Sequence, residues 1–204
     1  MELKLYDLFI DENLNDKSGV DDISVVDNPA IQENYMAFKT QKRVRIVCGG
    51  QKGNFTPIQG DKQILAGALM IPDMEIYRVD DVTGEEYNVR FKAEEIAKIQ
   101  KKCKLLGMQN NINEMHNPNK RINNSVLFQD FIIDRKMGIN PPLGQEHLPD
   151  GTWFGFVYVG DKMVWDEFIK TGIYRGYSVG GIFYEVEAND LTDTETNVIA
   201  SAIS

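Results

Sequence analysis

The chain of 204 residues is acidic, with a formal net charge of −9 and a pI near 4.8, so its surface repels phosphate and a direct nucleic-acid role is disfavoured. Hydrophobic residues make up 42% and charged residues 26%, an ordinary globular mixture that can build one domain with a real core, and no stretch approaches the roughly 20 apolar residues of a membrane span. The two cysteines, Cys48 and Cys103, lie far apart in dissimilar contexts and suggest no disulfide framework, which fits a reducing cytoplasm.

The first segment, "MELKLYDLFIDENL", is too acidic and too short in apolar run for a signal peptide, and residues 3–10 alternate enough for a strand. "DDISVVDNPAI" (21–31) is a β-branched run stopped at Asn28-Pro29, because proline cannot continue a ladder. Residues 39–63 form the one basic, glycine-dotted stretch, expected to be a mobile insertion or hairpin. "ILAGALMIP" (64–72) reads as a buried strand, and "EIYRV" and "EYNVRF" follow as strands around the acidic turn "DDVTGEE". In "AEEIAKIQKKCKLLGM" the period changes. Ile96, Ile99, Cys103 and Leu106 recur at three- and four-residue steps and predict an amphipathic helix, with Glu94 and Glu95 in its first turn and Gly107 at its stop.

"NINEMHNPNK" then reads as an Asn-rich polar loop, and "NSVLFQDFIID" (124–134) and "TWFGFVYVG" (152–160) as strands. Asp161 caps a short helix, "KMVWDEFIKTG", with Val164, Phe168 and Ile169 on its apolar face and Gly172 at its end. "GYSVGGIFYEVEA" (176–188) is a last strand, and residues 189–204 are a peripheral acidic tail. The expected organisation is therefore one domain over 1–188, α+β in class and β-rich, with helices packed outside a barrel or sandwich.

Several chemistries fail on spacing. His116, His147, Cys48 and Cys103 are the soft ligands, but none are paired at zinc-site spacing, so no metal and no cofactor are expected. "CGGQKGNFT" lacks the order of a phosphate loop. His116 and Ser178 fare better, since an imidazole can take a serine's proton and glycines beside the serine can present N–H groups to an oxyanion. Gly180, Gly181 and Arg175 are the backbone candidates for that hole. "GYSVG" also matches the nucleophile elbow G-x-S-x-G, but the elbow needs a helix after the serine and a strand follows here. A histidine in such a loop is more often a solvated surface residue, and a glycine-flanked serine more often a turn. Spacing alone leaves the pair undecided.

The stretch from about residue 64 to 183 decides it by resemblance. "GALMIPDMEIYR", "YNVRFKAEEIAKIQKK", "NINEMHN", "VLFQDFIID" and "GTWFGFVYVGDKMVWDEFIKTGIYRGYSVGGIF" follow one another in an order that resembles the phage prohead serine proteases, in their XkdF-like branch. That resemblance implies a closed β-barrel surrounded by helices, akin to the herpesvirus assemblins, with His116 as base and Ser178 as nucleophile. It implies a capsid-maturation endopeptidase that works in the host cytoplasm, inside the assembling prohead, on scaffold and major capsid proteins and on itself. The partner set leaves a homo-oligomer open. His147 has no counterpart in the pattern and is expected at the surface. For the third member, "DDISVVDNPAI" is similar to the acid-bearing strand of related proteases but stands at the N-terminus, so a circularly permuted barrel would put Asp22 in that place. An edge-strand beginning is an equal reading of Asp22, and Asp130, Glu185 and Glu187 are alternatives. Where the XkdF-like pattern often has Glu, this chain has Gln129. The rival function is a catalytically silent structural or scaffolding head protein with the same barrel. Small residues at Ala200, Ser201 and Ala202 make the tail a candidate for self-trimming.

Overall fold

The computed structural model describes residues 3–31, 36–37, 62–80 and 82–188. Three four-stranded sheets carry these residues. The strands in chain order are β1 (Lys4–Phe9), β2 (Gly19–Val26), β3 (Met36–Ala37), β4 (Ile64–Met70), β5 (Ile76–Val79), β6 (Glu86–Phe91), β7 (Ile112–Glu114), β8 (Asn117–Arg121), β9 (Val126–Ile132), β10 (Trp153–Tyr158), β11 (Gly176–Ile182) and β12 (Tyr184–Glu187). One sheet runs β12-β1-β6-β5, the second β3-β4-β10-β9 and the third β11-β2-β7-β8. Residues 39–61 of the basic stretch, with Cys48, and the tail 189–204 lie outside the described residues.

The periodicities translate directly where they are long. β4 is buried from Leu65 onward, as a run of seven apolar and small residues requires when both faces are covered. Helix α1 (Ala93–Leu105) buries Ile96, Ile99 and Cys103 and packs against β2 and β10. Leu106, expected on the same face, is the C-terminal cap and is 36% exposed. The second helix begins as α2 (Lys162–Val164), capped by the Asp161 carboxylate, and widens into a π-type turn over Trp165–Ile169. That widening turns Trp165 inward beside Ile169, and Phe168 stays half-buried on the stacked ring of Tyr174. Ile23, Val25, Leu65, Ile112, Trp153 and Phe154 are fully enclosed and belong to one core that all three sheets share.

Two expectations are corrected. Among the described residues the strands form three sheets of mixed α+β type and no closed barrel, so the assemblin-like architecture implied by resemblance finds no support in them. Each sheet keeps an outer strand among the described residues. β8, for one, carries Pro118, which has no N–H to offer a further neighbour. The single long strand expected over 176–188 is two strands. The chain pairs with β2 up to Ile182, breaks at Phe183 and then pairs with β1, so one polypeptide crosses from the third sheet to the first.

Candidate active site

β2 lies at the centre of the third sheet, antiparallel to β11 and parallel to β7. Its residues alternate faces, so Ile23 and Val25 enter the core while Asp22 and Ser24 point the other way. In the β11 ladder Ser178 stands opposite Ser24 and Gly180 opposite Asp22. Residues directly opposite one another share a face, with their Cβ atoms about 4.5–5.5 Å apart. Ser178 therefore projects on the same side as the Asp22 carboxylate.

His116 reaches that face from the next strand pair. The polar stretch expected to be a loop is a tight hairpin, with Glu114 paired to Asn117 and only Met115 and His116 between them. Both turn residues have φ of 54°, the left-handed values a type I′ turn demands. Side chains other than Gly or Asn adopt that region at a cost on the order of 1–3 kcal/mol each, which the surroundings must offset. Three hydrogen bonds hold the hairpin down. Met115 N–H donates to Val25 O (3.2 Å), His116 N–H donates to Ser24 Oγ (3.0 Å), and Tyr174 O–H donates to Glu114 Oε2 (2.6 Å).

The turn places the imidazole Nδ1 3.0 Å from Asp22 Oδ1. A carboxylate only accepts, so Nδ1 carries the proton and Nε2 remains the basic nitrogen. The His116 side chain is 38% exposed and that of Asp22 19%, so solvent reaches the ring while the acid is largely enclosed. Burial alone would raise the Asp22 carboxyl, but hydrogen bonds from His116, Ser24 and Asn113 outweigh it and hold the group below its ordinary value of 3.8.

Sequence reasoning missed Ser24 and Asn113. Ser24 is fully enclosed and Asn113 is 3% exposed. Besides accepting from the His116 N–H, Ser24 Oγ lies 2.9 Å from Asp22 Oδ1, 3.2 Å from Nδ1 and against the Asn113 side-chain oxygen. One hydroxyl thus ties the acid, the turn and β7 together. The alternation of β2 could have placed Ser24 beside Asp22, but only the register shows it facing Ser178 and the imidazole.

Ser178 itself is half-buried, and among the described residues its hydroxyl makes no hydrogen bond to His116. Free enzymes often show this contact long or open, so it does not remove the serine as a candidate. Gly180 has a definite steric role. A Cβ built there would lie 2.6 Å from Asp22 Oδ2 and 2.8 Å from His116 Nδ1, so only glycine leaves the acid and imidazole room. Gly181 sits where β2 bulges at Asp21, and a Cβ there would lie 2.1 Å from Gly19 O. Close backbone approach explains that glycine without an oxyanion role. Arg175 is corrected outright as an oxyanion donor, since its N–H already donates to Val26 O (2.7 Å).

The other candidate acids stand elsewhere. Asp130, on β9, accepts from Gln100 Nε2 (2.9 Å) and Trp153 Nε1 (2.8 Å) and pairs with Lys104, with its side chain 3% exposed. Glu185 and Glu187 lie on β12, paired with Leu8 and Tyr6 of β1. None of the three has a described contact with His116. His147 is exposed on the loop before β10.

A family model described as "Putative phage serine protease XkdF" matches residues 54–187, two thirds of the chain, which includes His116 and Ser178 but not Asp22. Among curated proteins and among solved structures, nothing matches the chain.

Proposed function

The chain belongs to the XkdF family of phage serine proteases, and on that premise we propose that it is the endopeptidase of phage head assembly, cleaving scaffold and major capsid proteins, and itself, inside the prohead in the host cytoplasm. The observation that carries this reading is the Asp22 carboxylate at 3.0 Å from His116 Nδ1, on the sheet face that Ser178 shares. An acid on Nδ1 fixes the tautomer in which Nε2 can accept the serine proton, and it stabilises the imidazolium once formed.

The steps follow from those roles. Ser178 Oγ attacks the peptide carbonyl as His116 Nε2 takes its proton. The imidazolium then protonates the leaving amine, and a water repeats the sequence on the acyl-enzyme. Backbone N–H groups at Gly180 and Gly181 are the candidates to hold the oxyanion. No step calls for a metal or an organic cofactor.

A second reading, a catalytically silent head protein, draws on the absent hydrogen bond between Ser178 and His116. The half-exposed serine and the glycine-sized space kept for the acid and imidazole favour the protease. Co-expression with the phage's scaffold and capsid proteins separates the two. Ser178→Ala removes one oxygen from a half-buried site, so stability should change by no more than about 0.5 kcal/mol. Cleaved bands should vanish from its heads, and the tail-trimmed mass of the wild type should revert to the untrimmed one. His116→Ala should do the same, and the double variant should be no worse than either, because nucleophile and base act as one unit. Fully processed bands in Ser178→Ala heads would return the protein to the silent class.

A further inference from the structure

Ser178 lies on β11 and His116 on the turn after β7, with β2 between the two strands. β7 pairs with β2 only from Ile112 to Glu114, so the turn stands just beyond the end of a three-residue ladder. So few ladder contacts leave an element prone to local opening. One side-chain bond ties that turn to the chain entering β11. Tyr174, two residues ahead of β11 and four ahead of Ser178, donates its O–H to Glu114 Oε2 at 2.6 Å. Glu114 is the last residue of β7, two before His116. Asn113 meets Ser24 on the side of the sheet that bears Asp22, and side chains alternate along a strand, so Glu114 leaves from the opposite side.

Resting on the reading of Ser178 as nucleophile and His116 as base, we propose that Tyr174 and Glu114 are a positioning pair. Their bond sets the imidazole against the serine by tying the His116 hairpin to the segment that leads into β11. Neither residue is placed to touch substrate. Tyr174 is 6% exposed and Glu114 leaves from the far side of the sheet, so the pair reaches the reaction only through the backbone. Three features favour the role. The phenol is presented from a fixed frame, since its ring stacks on Phe168 (5.1 Å, 14° between planes) and its own N–H donates to Phe168 O (3.0 Å). The next residue, Arg175, donates its N–H to Val26 O (2.7 Å), which locks that frame to β2. The hairpin needs such an anchor, because Met115 and His116 both hold a φ of 54° against their own preference. Finally, burial, followed by the hydrogen bond to Glu114 and its charge, pushes the Tyr174 phenol well above its ordinary range. Tyr174 therefore remains a donor throughout the pH range in which a histidine cycles its proton.

The test measures kcat and KM of the whole protein on the phage's purified scaffold protein, with Ser178→Ala as blank. Beside it runs hydrogen exchange of the Met115 and His116 amides, which donate to Val25 O and Ser24 Oγ. Tyr174→Phe keeps the ring against Phe168 and removes one oxygen. It should lower kcat at least about 10-fold with KM unchanged, as a misplaced base does, and speed exchange of both amides about 10-fold. Glu114→Ala should do the same, and the double variant should add nothing, because each change deletes one and the same bond. Glu114→Gln keeps an oxygen that can accept from the phenol, so kcat and exchange should return to within about 3-fold of wild type. Tyr184→Phe deletes a comparable bond in the first sheet, to Asp16 Oδ2 (2.9 Å), and should leave kcat within about 2-fold. Full kcat in folded Tyr174→Phe, or a Glu114→Gln variant as slow as Glu114→Ala, would overturn this inference and leave the protease reading intact. Lower kcat with unchanged exchange would do likewise, since the pair would then not act through the hairpin. No Ser178-dependent cut by the wild type would sink both readings together.

Discussion

Asp22 and Asp130 are both strand carboxylates withdrawn from solvent, and both are surrounded by donors, yet their surroundings are built for different ends. Asp130 is met by an ammonium, a carboxamide and an indole, from Lys104, Gln100 and Trp153. These contacts join α1 to the β9–β10 pair. Asp22 is met by a hydroxyl, a carboxamide and an imidazole, and the imidazole is 38% exposed. A histidine is the one partner that can cycle its proton at physiological pH. What separates a site from a brace is therefore the acid's partner and that partner's access to solvent, and not the acid's own burial.

Exchanging the two acids for their amides breaks the comparison most sharply. Asp22→Asn should fold normally but cut scaffold about 10⁴-fold more slowly, because the amide no longer enforces the Nδ1–H tautomer. Asp130→Asn should leave turnover per folded molecule unchanged. Asp130→Ala, which leaves the enclosed Trp153 N–H without its acceptor, should lower the free energy of urea unfolding by about 1–3 kcal/mol. Activity loss following Asp130 instead, with Asp22→Asn fully active, would reverse the assignment.

A smaller loss is expected from Gly180→Ala. The added methyl must displace the carboxylate or the imidazole from contacts that would close to 2.6 and 2.8 Å. Misplacement on the order of 1 Å costs about 10²-fold in rate. The melting temperature should move little, since what yields is a solvent-edged side chain and not the core. If activity is unaffected, the imidazole and acid do not need the space the glycine keeps.

Ser24→Ala probes the hub of the site. Loss of a hydrogen bond to a charged group costs about 1.5–3 kcal/mol, and 1.4 kcal/mol is a factor of ten in rate. We expect kcat to fall at least 10-fold with KM unchanged, because Ser24 is fully enclosed and positions Asp22 and His116 without touching substrate. The chain has two histidines, so the His116 ring is readily identified by nitrogen NMR, and the variant should show a mixture of tautomers where the wild type shows Nδ1–H. A variant with a uniform Nδ1–H ring and full kcat would reduce Ser24 to a packing residue.

The sequence carried the long elements and lost the short ones, for physical reasons. Helical spacing in α1 and the apolar run of β4 depend on local burial, which leaves a period to read. The hairpin that carries His116 has no such signal. β7 has three residues, β8 contains Pro118, and Met115 and His116 occupy turn positions that usually call for Asn or Gly, so the segment reads as polar loop. His116 and Ser178 were singled out by residue type and by family likeness, while Asp22 rested on a likeness of "DDISVVDNPAI" alone. Ser24 was invisible as a neighbour of His116, 92 positions away, because register between strands is not written locally. The barrel failed for a related reason. Nothing in a single strand states which neighbours it will pair with, and a break at one residue, Phe183, sends β12 to β1 in a different sheet from β11.

The mildest test of the comparison is thermodynamic. The Asp22 carboxyl titrates below its ordinary value in the folded protein, so the unfolded chain binds its proton more readily. Stability from this group is fully present above 3.8 and is lost as pH falls through the depressed folded value. Asp22→Asn has no carboxyl to titrate there. Urea unfolding at steps from pH 5 down to pH 2.5 should therefore show the wild type losing stability faster than the variant, so that any wild-type advantage at pH 5 shrinks on acidification. Since Asp22 keeps some exposure, solvent screens the interaction and the convergence will be modest. Parallel curves for the two proteins across that range would mean that the hydrogen bonds from His116, Ser24 and Asn113 do not favour the ionised acid in solution, and Asp22 would then have no more claim to the site than Asp130.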